Sequence, residues 1–511
     1  MGFFTFKKGH ISANLSAHSS FKSFVVLVVM MLMTASSAMA EEDKYEVIDG
    51  LLYLLETGTK TASLVANTND QYSGDIVVPE KVKSCDGMEY SVTSFGYECF
   101  KGCSGLTSIT IPSSVTSLGK GCFAGCSGLT SITIPSSVTS LSNYCFIGCS
   151  GLTSITIPSS VTSLGGSCFF GCSSLTSITI PSSVTSLGEF CFYHCCGLTS
   201  ITIPSSVTSL GDGCFSMCSG LTSITIPSSV TSFGEYCFSG CSGLTSITIP
   251  SSVTSWGNGW FNRCSGLTSI TIPSSVTSLG NDCFYGCSGL TSITIPTSVT
   301  SLGYRCFFGC SGLTSITIPS SVTSLDYGCF YGCSGLTSIT IPASVTSLGE
   351  YCFVGCSGLT SITIPSSVTS LGKGCIEGCD NLESIYFKAE KPEKISDASI
   401  PKTCKIFVPA EYLQDYKDAL GSQYQYIYSW DPNSSETVNI NQAKTRGIVA
   451  SAHNGIVSIS GLDNGEVVKF YAADGKLVGS SSAVDGTASC AVSETMVIAK
   501  FGGNAIKVAV K

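Results

Sequence analysis

The chain has 511 residues, 43% of them hydrophobic and 12% charged, with 54 Gly, 17 Pro and 29 Cys. That composition can bury a large core and is unlike that of a disordered chain. Its 25 Lys and Arg against 34 Asp and Glu give a net charge of −9, so no basic face for nucleic acid is expected.

Residues 1–40 read as a secretory signal: a basic stretch ending at Lys22, an apolar run from Phe24 to Met33, and small residues closing on Ala38-Met39-Ala40. A membrane anchor is the alternative, but the run covers only about half of the ~20 residues that a bilayer helix needs. Cleavage before Glu41 would remove Lys7, Lys8 and Lys22 and no acid, taking the net charge to −12. No later run approaches transmembrane length, so the mature chain is expected to be secreted or attached to the outer cell surface, where disulfides are permitted. Segment 41–105 carries strand-like runs at Tyr45, Ile48-Asp49-Gly50 and Val77-Val78-Pro79, and reads as an N-terminal cap with a first partial repeat.

From Leu106 to Asn381 a 23-residue unit recurs twelve times, its leading leucine falling at 106, 129, 152 and onward to 359. One unit runs Leu106-Thr107-Ser108-Ile109-Thr110-Ile111-Pro112, continues to Val115 and Leu118-Gly119, and ends with Cys122-Phe123-Ala124-Gly125-Cys126. Around Ile109 and Ile111 apolar residues alternate with Ser and Thr, the period of a half-buried strand, while Pro112 and Gly119 end two extended stretches. Neither stretch is long enough for a helix. The few inward side chains of one unit cannot offset the ordering of its backbone, so the units must stack, at ~4.7–4.9 Å each, into a β-rich solenoid.

The order Leu-x-x-Ile-x-Ile-Pro-x-x-Val-x-x-Leu-Gly-x-x-Cys-Phe-x-Gly-Cys resembles the leucine-rich repeat of the BspA-like family. The match covers about residues 92–381, with one departure: the family usually has Ala where this chain has Cys99, Cys122 and their equivalents. The resemblance implies a leucine-rich-repeat surface protein that adheres to host proteins, glycans or other cells, without catalysis.

Segment 382–430 reads as a C-terminal cap, with strand-like Ile385-Tyr386-Phe387 and Ile406-Phe407-Val408-Pro409, then Tyr412, Leu413, Tyr416 and Leu420 at helical spacing before Gly421. Residues 431–437 form a polar linker. Beyond it, 438–511 alternates as a small, separate β-sandwich, with Asp474-Gly475 as a hairpin signal. Its layout, ending on Lys507-Val508-Ala509-Val510-Lys511, resembles the C-terminal sorting domain of type IX secretion, which implies export machinery as a partner. The Pro-Asn-Pro opening of that family is absent, and Glu494-Thr495-Met496 stands where Gly-x-Tyr is usual; a generic accessory domain is the competing reading.

No residue set carries catalysis, a metal or a cofactor. The histidines lie at 10, 18, 194 and 453, the first two in the leader, and the recurring Cys-x-x-x-Cys lacks zinc or redox spacing. Equivalent cysteines in adjacent units would fall within bridging distance, yet small buried thiols filling the inner turn are the preferred reading. Rows of Thr107, Ser108 and Thr110 equivalents could meet a periodic ligand, but duplication of one unit produces the same regularity. Differences between units are more informative. They place Tyr144, Phe170, Phe190, Tyr193, Tyr236, Trp260, Tyr285, Tyr304, Phe308, Tyr327, Tyr331 and Tyr351 in or beside the turn, as a candidate surface for an unidentified protein or glycan. Neutral drift at exposed turns, in a non-binding spacer or coat protein, is the rival expectation; a hydrolase is a weak third.

Overall fold

The computed structural model describes residues 43–67, 71–388, 393, 395–430, 449–453, 456–472, 476–492, 496–501 and 504–509; the signal sequence, the 431–437 linker and the Asp474-Gly475 turn lie outside them. Two compact units are present, Met1–Ile385 with Pro392–Cys404, and Tyr386–Lys391 with Lys405–Lys511.

The first unit is a β-solenoid of about 14 turns. Most turns contribute a short Ser-Ile-Thr strand, such as Ser131–Thr133, that pairs in parallel with its copy 23 residues on, Ser154–Thr156, and single bridges at Thr179, Thr248 and Thr271 continue the row. A second ladder joins Ser-Leu pairs, Ser186–Leu187 to Ser209–Leu210 and then Ser232–Phe233. Turn to turn, backbone donors point opposite ways on opposite sides. Thr153 N–H donates back to Thr130 O at 2.9 Å, whereas in the Cys-Phe turn Phe123 N–H donates forward to Cys145 O at 2.8 Å. Serine serves a third row: Ser160 Oγ donates to Val138 O at 2.7 Å, and Ser229 to Val207 O likewise.

At the start, Lys44–Ile48 and Leu51–Glu56 form a hairpin through Asp49 and Gly50, both with positive φ (50° and 80°), the backbone that a tight hairpin turn requires. Thr61–Leu64 then pairs in parallel with Glu89–Phe95, which pairs in turn with Ser117–Leu118, while Gly74–Val77 adds to Leu106–Thr110. Asp75 takes the place of a preceding turn, its carboxylate accepting from the Thr107 and Ser108 hydroxyls at 2.7 and 2.6 Å.

Inside, the Ile, Val, Leu, Cys and Phe of every repeat are buried. Phenylalanines stack in one row from Phe100 to Phe353, with neighbouring centroids 5.2–5.8 Å apart and rings within 12° of parallel; Ile376 succeeds them. Twenty-six of the 29 cysteines are buried and none is bridged. The second cysteine of each Cys-x-x-x-Cys has a definite task. Its thiol donates to the phenylalanine carbonyl of the preceding turn, from Cys126 Sγ to Phe100 O at 3.1 Å onward to Cys379 Sγ and Phe353 O at 3.1 Å. A small side chain with a weak donor fits that space. Burial pushes the Cys103 thiol up to about 11, and those of Cys191 and Cys218 up to about 12.

Two positions of the Cys-Phe turn have left-handed backbone. One is usually Gly but holds His194, Met217 and Arg263 (φ 59°, 62° and 58°); the other holds, among others, Tyr144, Phe190, Asp282, Arg305 and Tyr351. At this second position a large residue is followed one repeat later by a small one, for a steric reason. A Cβ on Gly213 would lie 2.5 Å from Phe190 Cδ1, and one on Gly259 2.2 Å from Tyr236 Cδ1, so each ring lies over the glycine of the next turn.

In the second unit, Lys405–Pro409 and Ile427–Trp430 pair in parallel, and the helix Leu413–Leu420 between them buries Tyr416 and Leu420. Further on, Val449–His453, Ile456–Ser460 and Thr487–Ala491 form one sheet; Leu477–Ser482, Val467–Ala472, Met496–Phe501 and Asn504–Ala509 form another, with Asn504–Ala509 at its edge. Their inner faces share a core that includes Val457, Ile459, Val468, Phe470, Val497 and Phe501.

Two outcomes are expected. Native protein treated with a thiol reagent should react at Cys85 and, more slowly, at Cys196 and Cys490, the three cysteines outside the core; denaturation without reductant should expose the rest, and labelling that waits for a reductant would establish bridges instead. Thiols of the unfolded chain ionise near pH 8.5, whereas the buried ones hold their protons to about 11 or 12. The thiol contribution to stability should therefore be constant below about pH 8 and fall above it, by about 1.4 kcal/mol per pH unit for each such thiol, because the unfolded state then binds fewer protons. The second outcome concerns packing: Gly259→Ala should cost at least about 2 kcal/mol in denaturant unfolding, and pairing it with Tyr236→Gly should recover the steric part.

Candidate functional site

The aromatic residues singled out by sequence occupy distinct positions of the Cys-Phe turn. Tyr304 and Tyr327 follow the turn's leading residue, Gly303 and Asp326; Tyr144, Phe190, Tyr236 and Tyr351 take the left-handed position; Phe170, Tyr193, Tyr285, Phe308 and Tyr331 follow the buried phenylalanine. In a strand, backbone alternation sends successive side chains to opposite faces. In this turn the left-handed residues do the equivalent, holding both cysteines and the phenylalanine inward while most intervening residues keep some exposure, Ala124, Ser167, Ser216 and Asp282 being buried.

The outward residues fall into rows because each repeats the one 23 residues before it. Tyr285, Phe308 and Tyr331 make a continuous stack, with centroids 4.7 and 4.3 Å apart. Beside it, Tyr304 stacks on Tyr327 at 4.9 Å, and Tyr351 meets Tyr327 edge-on at 5.5 Å. Arg305 stands between the rows, its guanidinium 4.6 Å from the Tyr304 centroid and 5.3 Å from that of Tyr285, and its Nε is 2.9 Å from Asp282 Oδ1. Six rings and one ion pair are thus gathered on adjacent turns. Phe170 and Tyr193 form a separate pair at 4.6 Å, with Phe190 edge-on to Tyr193 at 5.8 Å. Tyr144, 41% exposed, has Lys120 Nζ 5.2 Å from its ring centroid, and Tyr236 covers Gly259.

Trp260 does not belong to this surface. It occupies the position of the first cysteine, is fully buried, and packs against Phe233 at 4.6 Å and Trp256 at 5.1 Å. Three larger residues at inward positions (Phe233, Trp256, Trp260) fill the core together, and the Ser-Leu ladder is interrupted at Trp256. His194 is exposed at the left-handed position and beside Tyr193. The side chain of His453 is outside the described residues. Among those described, no group of three or more His, Cys, Asp or Glu is placed to hold a metal ion, and no helix is long and apolar enough to cross a membrane.

The hydroxyl rows have an internal use. Thr153 Oγ1 donates to Thr130 O at 3.0 Å, and Thr222 and Thr268 repeat the bond to Thr199 and Thr245 at 3.2 Å. The donor of that row is directed along the solenoid. One further outward residue escaped the sequence reading: Asp326 stands where neighbouring turns carry Gly303 and Gly349, a departure visible in the repeat alignment itself.

Comparison with known proteins agrees with this architecture. The family model "BspA type Leucine rich repeat region (6 copies)" matches residues 86–196, 185–301 and 277–406. The crystal structure of a leucine-rich repeat protein from Bacteroides ovatus is 32% identical and superposes with a TM-score of 0.63, covering 71% of this chain and 99% of that one. A leucine rich cell surface protein from Faecalibacterium prausnitzii is 28% identical over 71% of this chain and 99% of its own, with a TM-score of 0.53. The pneumococcal vaccine antigen PcpA, 20% identical, covering 76% of this chain and 99% of its own, shares the fold at a TM-score of 0.51. A search of curated proteins gives no match. With a 23-residue repeat, a parallel solenoid and a family match spanning more than half its length, the chain belongs to the BspA-type leucine-rich repeat family.

Proposed function

We propose that this is a secreted or cell-surface leucine-rich-repeat binding protein that adheres to a host protein, a glycan or another cell, and that it performs no catalysis. The observation that carries the reading is the gathering of Tyr285, Tyr304, Phe308, Tyr327, Tyr331 and Tyr351 on adjacent turns. Drift at equivalent exposed positions would scatter aromatic residues among the repeats; here six of the eleven outward rings fall on four successive turns, and large rings in one patch are the composition of an interface. The leader at 1–40 and the Faecalibacterium relative, described as a cell surface protein, support the location. Residues 438–511 serve, in this reading, as the sorting domain that addresses the chain to the surface. Support comes from the resemblance of the sequence and from the strand Asn504–Ala509, which lies at the edge of its sheet among the described residues.

Labelled mature protein should bind a component of a host-matrix panel or a glycan array, and Tyr304→Ala with Tyr327→Ala should weaken that binding by roughly tenfold or more. The fold should survive these changes, because equivalent positions hold Lys120, Asn143 and Gly166. Silence on both panels would favour the spacer. A chain ending before Val438 should leave a stable solenoid retained inside the outer envelope; normal surface display of that chain would reduce 438–511 to an accessory domain.

A further inference from the structure

An open groove of about 780 Å³ runs along the solenoid beside the tyrosine row, bounded by Tyr304, Tyr327, Asp326, Glu350, Glu393 and Asp397. Its floor is glycine by necessity: a Cβ on Gly349 would lie 2.5 Å from the Asp326 carbonyl carbon, and one on Gly372 2.2 Å from the Glu350 nitrogen. Asp326 departs from this, as Ser142 does in an earlier turn, and puts a carboxylate where the neighbouring turns carry glycine. Departures from a local packing rule concentrate at functional positions.

The chemistry of the lining selects the ligand. Four acidic residues, Asp326, Glu350, Glu393 and Asp397, and one basic residue, Lys373, line the groove, a formal local charge of −3. None of Asp326, Glu350 and Glu393 is in an ion pair among the described residues. These carboxylates are spread along the groove and form no group that would share a metal ion, so their field suits a chain of cations. The tyrosines do not offer stacking platforms for a sugar ring. Tyr304 and Tyr327 cover each other at 4.9 Å, Arg305 stands 4.6 Å from the first and Tyr351 meets the second, so ring edges and hydroxyls are left for an incoming donor.

We propose that this groove binds an extended peptide segment carrying two or more lysine or arginine side chains, which the Asp326, Glu350, Glu393 and Asp397 carboxylates accept. This inference rests on the binding role proposed above and names the partner class for one part of that surface.

The test uses the mature full-length chain and a fluorescent eight-residue peptide of alternating Lys and Ser, in which an extended backbone puts the lysines on one side about 6.7 Å apart. The peptide should bind at low salt and weaken as salt rises. The same peptide with every lysine acetylated should bind at least tenfold more weakly. Asp326→Gly, which installs the residue of the neighbouring repeats, and Glu350→Gln should each weaken binding about five- to tenfold, while Glu189→Gln, at the position equivalent to Glu350 but outside the groove, should leave it unchanged. Equal binding of the acetylated peptide, no binding of the lysine peptide, or indifference to both groove variants would overturn the proposal. Should Asp326→Gly fail to fold, Glu350→Gln still decides it. Adhesion retained on the matrix or glycan panels while the lysine peptide fails to bind would remove the groove assignment alone and leave the broader reading standing.

Discussion

A turn of 23 residues cannot satisfy its own peptide groups, and everything else in the solenoid follows from where they go. On the strand side each turn donates to the one before it, and in the Cys-Phe turn it donates to the one after it, so every interior turn is bonded to both neighbours. The core repeats this dependence. Each phenylalanine ring is sandwiched by its copies, and each second thiol is bonded to a carbonyl that belongs to the previous turn. Only the ends must be different. The strands Thr61–Leu64 and Gly74–Val77 and the Asp75 carboxylate supply, from unrelated sequence, the partners that a preceding turn would have supplied.

This dependence explains how much was legible beforehand. The alternation about Ile109 and Ile111 and the spacing of the leucines are direct imprints of inward and outward positions, so solenoid, strands and buried thiols could be read from the repeat. The helix Leu413–Leu420 was visible for the same reason, since Tyr416 and Leu420 are one turn apart and Gly421 ends it. The outward surface was less legible. Trp260 looked like the other turn aromatics by residue type, yet it replaces an inward cysteine and belongs to the core with Phe233 and Trp256. Only the position within the unit separates the two cases, and reading by type ignored it. Asp326 differs in the opposite way: the alignment of the repeats shows the acid in place of glycine, and the clash awaiting a Cβ at the equivalent Gly349 gives that difference its structural weight.

The variable positions are variable within limits set by the next repeat. Phe190 and Tyr236 are matched by Gly213 and Gly259 because a ring at the left-handed position lies over the following turn. What looks like free variation between units is partly a sequence of pairwise agreements along the stack. The tyrosine row obeys a looser condition, in which rings at equivalent positions lie on one another and do not intrude on the backbone. A patch of aromatic surface can therefore grow over several turns without disturbing the core beneath it.

The near-identity of the interior units also bears on how the molecule changes over generations. Because every interior turn meets its neighbours through the same backbone bonds, a whole 23-residue unit can be gained or lost by recombination between repeats wherever the left-handed positions on either side still agree. The caps never register the difference. Length is thus a heritable variable, and a surface patch made by a few distinctive turns, such as the rows around Arg305, travels as a block whose distance from either terminus is free to drift. Were the chain displayed and binding as proposed above, reach and recognition could then be selected independently.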